Sequence, residues 1–97
     1  MDELVKELRG KVLFFLSYIA PKAIDTQSII KTMYEYHQVE DIEKALDYLY
    51  EKKLVSRTET LHPFRKREKL INYKITPKGI DTIEGTLEDP AIVVVEW

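Results

Sequence analysis

Between Asp2 and Ala20 the apolar residues Leu4, Leu8, Val12, Phe15, Leu16 and Ile19 recur at spacings of three and four. An α-helix gathers such positions on one face, so the pattern predicts a first helix closed by Pro21. Gly10 lies off the stripe and costs about 1 kcal/mol relative to alanine in a helix, which marks it as a place to bend or fray. A short extended stretch around Ala23 and Ile24 follows. Asp25 or Thr26 can then cap a second helix that carries Ile29, Ile30, Met33 and Tyr34 and ends near Tyr36. After a turn at His37 and Gln38, the segment Glu40 to Lys53 places Ile42, Ala45, Leu46 and Leu49 at i, i+3, i+4 and i+7. This is the clearest helical signal in the chain.

The period then changes. Leu54 to Thr60 is short and β-branched, and Leu70 to Thr76 alternates with Ile71, Tyr73 and Ile75 on one side, so two antiparallel strands are expected. The connection from Leu61 to Lys69 is too long for a tight hairpin and holds Pro63, which cannot donate to a ladder. It should project as a mobile loop. Thr76 before Pro77 is a strong helix start, because the hydroxyl can cap and proline is pre-set for the first helical position. A fourth helix should run to about Glu84 and end at Gly85. Beyond Pro90 lies an apolar run, Ala91 to Val95, closed by Glu96 and Trp97.

The expected architecture is α+β: a three-helix core, a two-stranded wing, a short helix and an extended tail. With 97 residues, one domain over 1–97 is expected, its core at 4–85 and its tail at 86–97. At 44% hydrophobic and 33% charged residues the chain is apolar enough to bury a core. A formal charge of −2 argues against a surface that is basic all over, so any nucleic-acid contact must come from a local patch. Without cysteine there is no disulfide or thiolate chemistry. The apolar stretch Val12 to Ala20 follows acids and is too short to span a bilayer, so no membrane association is expected and the cytoplasm is the expected compartment.

Helix, helix, helix, strand, long loop, strand, helix is the order of a winged helix-turn-helix domain. The segment Leu46-Asp47-Tyr48-Leu49-Tyr50-Glu51-Lys52-Lys53-Leu54-Val55 resembles the end of the third helix and start of the first wing strand in winged-helix regulators. Tyr73-Lys74-Ile75-Thr76-Pro77-Lys78-Gly79 resembles their second wing strand turning into the next helix. The chain also resembles, more weakly, small winged-helix proteins of Mu-like prophages. The resemblance covers roughly Leu4 to Gly85 and implies a DNA-binding transcriptional or prophage regulator with double-stranded DNA as its partner.

One departure stands out. The third helix, which in DNA-binding relatives enters the major groove, holds five acids over residues 39 to 53 (Glu40, Asp41, Glu43, Asp47, Glu51) against three bases (Lys44, Lys52, Lys53), a net of −2. Such a face repels phosphates, which supply most of the affinity of protein for DNA. Acids near a helix N-terminus also have a purely structural use, worth about 0.3–1 kcal/mol each. The loop and its flanks, residues 57 to 69, carry Arg57, Arg65, Lys66, Arg67 and Lys69 against Glu59 and Glu68, a net of +3. These five bases, assisted by Lys44 and the end of the second helix, are the candidate DNA contacts. They can equally keep an exposed strand edge soluble.

Phe64 is a candidate interface residue, either an apolar wedge for a nucleic-acid step or a protein anchor. The apolar tail, with Ile92, Val93, Val94, Val95 and Trp97, must be covered, by packing on the first helix, by extending the sheet within the monomer, or by strand addition to a second copy of the chain in a homodimer, and the last is favoured. The alternative function is a protein-interaction module that assembles through the acidic third helix and the tail. The two histidines, His37 and His62, have no partner at metal-binding spacing, and no glycine-rich phosphate loop or nucleophile elbow is present. Neither an enzyme activity, a small-molecule substrate nor a cofactor is expected.

Overall fold

The apolar stripes of the helices converge on one cluster in the computed structural model, which describes residues 3–85 and 88–94. The elements are α1 (Glu3–Ile19), β1 (Ile24–Asp25), α2 (Thr26–Met33), α3 (Val39–Glu51), β2 (Val55–Leu61), β3 (Lys69–Ile75) and α4 (Pro77–Glu84). From α1 the core takes Leu8, Val12, Leu13 and Leu16; from α2 Ile29, Ile30 and Met33; from α3 Ile42, Ala45, Leu46 and Leu49. Leu4, at the start of the expected stripe, is left exposed. No described helix is long and apolar enough to cross a membrane.

Where the helices stop follows local chemistry. Asp25 is the cap of α2: its carboxylate accepts from the Ser28 amide and hydroxyl, at 3.1 and 2.7 Å. The helix ends at Met33, earlier than Tyr36, because Tyr34 and Tyr36 are exposed and give a further turn nothing to bury. At the end of α3 the Leu54 amide bonds the Leu49 carbonyl and the Lys53 amide the Tyr50 carbonyl. This pair of bonds needs a left-handed residue, here Lys53 at φ 63°. The helix thus stops at Glu51, two residues before the expected Lys53, and the chain reverses at Lys53 into β2.

Among the described residues the sheet has three strands in the order β1-β3-β2, all antiparallel, the expected extended stretch at Ile24 joining the two wing strands. The two residues of β1 pair with Tyr73 and Asn72, and the Thr26 hydroxyl bonds the Ile71 carbonyl at 2.9 Å. Tyr73 and Ile75 are buried as expected; Ile71 shares their side of β3 but lies past the edge of the core. The β2–β3 ladder runs out to Leu61 opposite Lys69, which leaves only residues 62–68 as the loop.

The two segments that carry the winged-helix resemblance pack on each other. The Thr76 amide donates to the Leu54 carbonyl at 3.0 Å, the Thr76 hydroxyl to the Lys53 carbonyl at 2.7 Å, and the Gly79 amide to the Thr76 hydroxyl at 3.1 Å. Gly79 has no space for a side chain, since a Cβ there would run into the Leu54 carbonyl. Glycine at this position therefore lets the first turn of α4 seat directly on the α3–β2 junction.

The tail corrects two expectations. The core does not end at Gly85, because Ile92 is buried in it. Nor are residues 92–94 extended as a strand: the Val93 amide bonds the Lys6 carbonyl of α1 at 3.1 Å, and Arg9 donates to the Ala91 carbonyl at 3.2 Å. Gly10 makes the approach possible, because a Cβ there would collide with the Val93 carbonyl. Its place off the apolar stripe marks a docking notch. As interface residues, Ile92 and Val93 are thus engaged by their own chain, while Val94 is half exposed and Val95 and Trp97 lie outside the described residues.

Candidate nucleic-acid interface

Two surfaces of the helix-turn-helix and hairpin are candidates. On α3, the positions Glu40, Glu43, Asp47 and Tyr50 form an exposed row on the side opposite the buried Ile42, Leu46 and Leu49. Arg57, from β2, lies against the end of this row. Its guanidinium sits 3.9 Å from the centre of the Tyr50 ring and donates to Asp47 Oδ1 at 3.3 Å. Its neighbour across the ladder, Tyr73, and then Tyr50 and Asp47 hold its pKa above the ordinary arginine value. Arg57 is a clasp between the sheet and α3, and its charge is answered by Asp47.

The rest of the basic set divides as well. Lys69 pairs with Glu59 at 3.6 Å, and Arg65 with Glu68 at 3.3 Å. All four side chains are more than half exposed, where a pair is worth about 0–1 kcal/mol, so a phosphate can replace the carboxylate at small cost. Lys66 and Arg67 are exposed and have no ion pair among the described residues. Lys44 is not brought to this surface: it lies with Asp41 on the flank of α3 turned to α1, lining a shallow cavity of about 350 Å³ with Leu4, Val5, Leu8 and His37.

The loop that presents Lys66 and Arg67 is built by His62. Its Nδ1 accepts from the Phe64 amide at 3.1 Å and the Arg65 amide at 3.0 Å. The His62 amide donates to the Glu68 carbonyl at 2.9 Å, and the Glu68 amide to the Arg65 carbonyl at 2.8 Å. The tip is therefore a turn closed by four hydrogen bonds. The signal was present in the sequence, since a side-chain acceptor just before Pro63 can cap the next two amides as Asp or Asn does in a turn. Between the tip and α2 runs a groove of about 680 Å³ with Lys31, Arg65 and Lys69 on its walls.

The helix-turn-helix is anchored from behind. His37, in the turn before α3, has Nε2 at 3.5 Å from Lys11 Nζ of α1, and burial together with the Lys11 charge lowers its pKa. On the other flank the Arg9 guanidinium lies 3.6 Å from the centre of the Tyr48 ring, and the Tyr48 hydroxyl donates to Asp89 at 3.3 Å. Burial and the Asp89 carboxylate raise the Tyr48 pKa. Among the described residues no group of three or more metal-ligating side chains occurs.

No protein-family model and no curated protein matches the sequence. Solved structures do match the fold. A MepR mutant from S. aureus bound to an oligodeoxyribonucleotide superimposes with a TM-score of 0.62 at 22% identity, covering 79% of this chain and 51% of that one. A PadR-like transcriptional regulator from Bacillus cereus gives 0.60 at 21% identity over 80% of this chain and 75% of that one. Bacillus subtilis PadR in complex with operator DNA gives 0.63 at 12% identity over 86% of this chain and 50% of that one. The fold is an α+β winged helix, and the chain spans about half the length of two of these three neighbours.

Proposed function

We propose that this chain is a DNA-binding regulator whose wing, and not its third helix, supplies the phosphate contacts. The observation that carries the reading is the division of charge: Lys66 and Arg67 stand free on an ordered tip, whereas the exposed row of α3 is acidic. Arg65 and Lys69 join them once their surface carboxylate partners are displaced. Two fold neighbours, the MepR mutant and Bacillus subtilis PadR, are bound to DNA in their structures, which supports the class of ligand. A second copy of the chain would bring a second wing to the same duplex, and binding stoichiometry reports it.

The test is fluorescence anisotropy with a labelled random-sequence duplex over a salt series, using the wild type and the double variant Lys66→Glu with Arg67→Glu. Binding should be strong at low salt, fall linearly on a log–log plot as salt rises, and have a shallower slope in the variant. Absence of binding at every salt concentration would sink the proposal and turn attention to the acidic row of α3 as a protein-docking surface.

A further inference from the structure

Phe64 is the most exposed large apolar side chain among the described residues, at 89%. Its ring meets the edge of His62, with centroids 6.3 Å apart. A ring left in water on a flexible loop would be unremarkable, but this one stands on a turn already fixed by the two bonds to His62 Nδ1 and the two between His62, Arg65 and Glu68. The conformational cost of holding it outward is met before any partner arrives. The tip also lies beyond the last pair of the ladder, Leu61 opposite Lys69, at the far end of the hairpin from the core.

Resting on the DNA-binding reading above, we propose that Phe64 is a wedge that enters between two stacked base pairs while Lys66 and Arg67 hold the flanking phosphates. A protein anchor would sit at the centre of a wider apolar patch whose surrounding contacts keep water out. Phe64 is instead followed directly by Arg65, Lys66 and Arg67. One apolar ring beside free cations matches an opened base step, which offers an apolar slot between two anionic strands. The step that opens most cheaply is a pyrimidine–purine step such as TA. Because the α3 row is acidic, this insertion gives the wing a sequence preference that phosphate contacts alone do not provide.

The experiment uses duplexes with 2-aminopurine beside a central TA step, and matched duplexes lacking that step. Wild-type protein should raise the 2-aminopurine fluorescence on binding and prefer the TA duplex. Phe64→Ala, at a fully solvated position where folding is not at risk, should bind that duplex about tenfold more weakly, lose the preference and leave the fluorescence unchanged. Phe64→Leu, which keeps an apolar wedge, should retain the fluorescence rise. If Lys66→Glu with Arg67→Glu abolishes binding while Phe64→Ala matches the wild type, the wedge is refuted and the phosphate-binding wing stands. If no duplex binds the wild type, both fall. Phe64-dependent sedimentation with anionic phosphatidylserine vesicles, without any 2-aminopurine response, would overturn the wedge in favour of a lipid surface.

Discussion

The two ends of the hairpin are built on opposite principles. At its base, where β2 leaves α3 and β3 enters α4, main chain meets main chain so closely that Gly79 has no room for a methyl group, and the Leu54 and Lys53 carbonyls are both bonded. At its tip the main chain is satisfied by its own turn, and the side chains of Phe64, Lys66 and Arg67 point into solvent. Stability is concentrated at the base and recognition chemistry at the tip. A substitution at one end should therefore leave the property of the other end untouched, and that independence is open to measurement.

The largest effect is expected from Gly79→Ala. The added methyl meets the Leu54 carbonyl and the Ile75 side chain, neither of which can retreat without lifting α4 off the junction. Overpacking of this kind costs about 3 kcal/mol. A urea titration followed by circular dichroism measures it, and a loss below about 0.5 kcal/mol, the usual range for a surface position, would show that the base is not the tight end. At the tip, Lys66→Glu with Arg67→Glu should stay within that range while its DNA binding collapses.

Gly10→Ala should come second, at about 1–2 kcal/mol, because the obstructed partner is the Val93 main chain of a tail that can move aside. Displacing the tail uncovers Ile92 and removes the Val93–Lys6 and Arg9–Ala91 bonds together. Amide exchange at Val93 should rise out of proportion to the global loss. Uniform destabilisation, with Val93 protected as before, would mean that the notch is a property of α1 alone.

Glu40→Gln with Glu43→Gln removes two charges from the face of α3, so DNA affinity should rise by about threefold to tenfold, as it does when like charges are taken from an interface. The stability cost falls mainly on Glu40, in the first turn of α3, at about 0.3–1 kcal/mol. Unchanged affinity would mean that DNA held by the wing never approaches this row.

Most of the base was legible in the chain and little of the tip's electrostatics was. Thr76-Pro77, the Asp25 cap and the spacing of Ile42, Ala45, Leu46 and Leu49 are local signals, each acting within one or two turns. The extended stretch at Ile24 was legible but its place in the sheet was not, because two residues carry no alternation and their pairing is set by β3, far away in sequence. Gly10 was read as a weakness of the helix because its reason, Val93, lies 83 positions on. Among the five candidate bases, charge counting treated all alike. The ladder register places Lys69 diagonally across from Glu59 on the same side, and the α3–β2 reversal delivers Arg57 to Asp47, so the pairing depends on geometry that composition does not contain.

The smallest effect concerns the link between the tight end and the helix-turn-helix. His37 has its pKa lowered by burial first and by the Lys11 charge second, with Asp41 and Glu7 acting the other way. In the unfolded chain it titrates near the ordinary histidine value of about 6.5. Below that pH the unfolded state takes up a proton that the folded state still refuses, so stability falls as pH drops. The contribution is complete above the unfolded value and is lost as pH falls through the folded one. Asp25, held below the usual carboxylate range chiefly by the Ser28 hydroxyl bond, gives a loss of the same sign but in the more acidic carboxylate window, so the two separate on the pH axis. Urea midpoints at pH 7.5, 6.5 and 5.5 should decline in the wild type and decline less in His37→Gln, which keeps a neutral acceptor near Lys11. Identical slopes in the two proteins would place the pH dependence elsewhere, and the turn before α3 would then be held by the packing of α2 and α3 without help from α1.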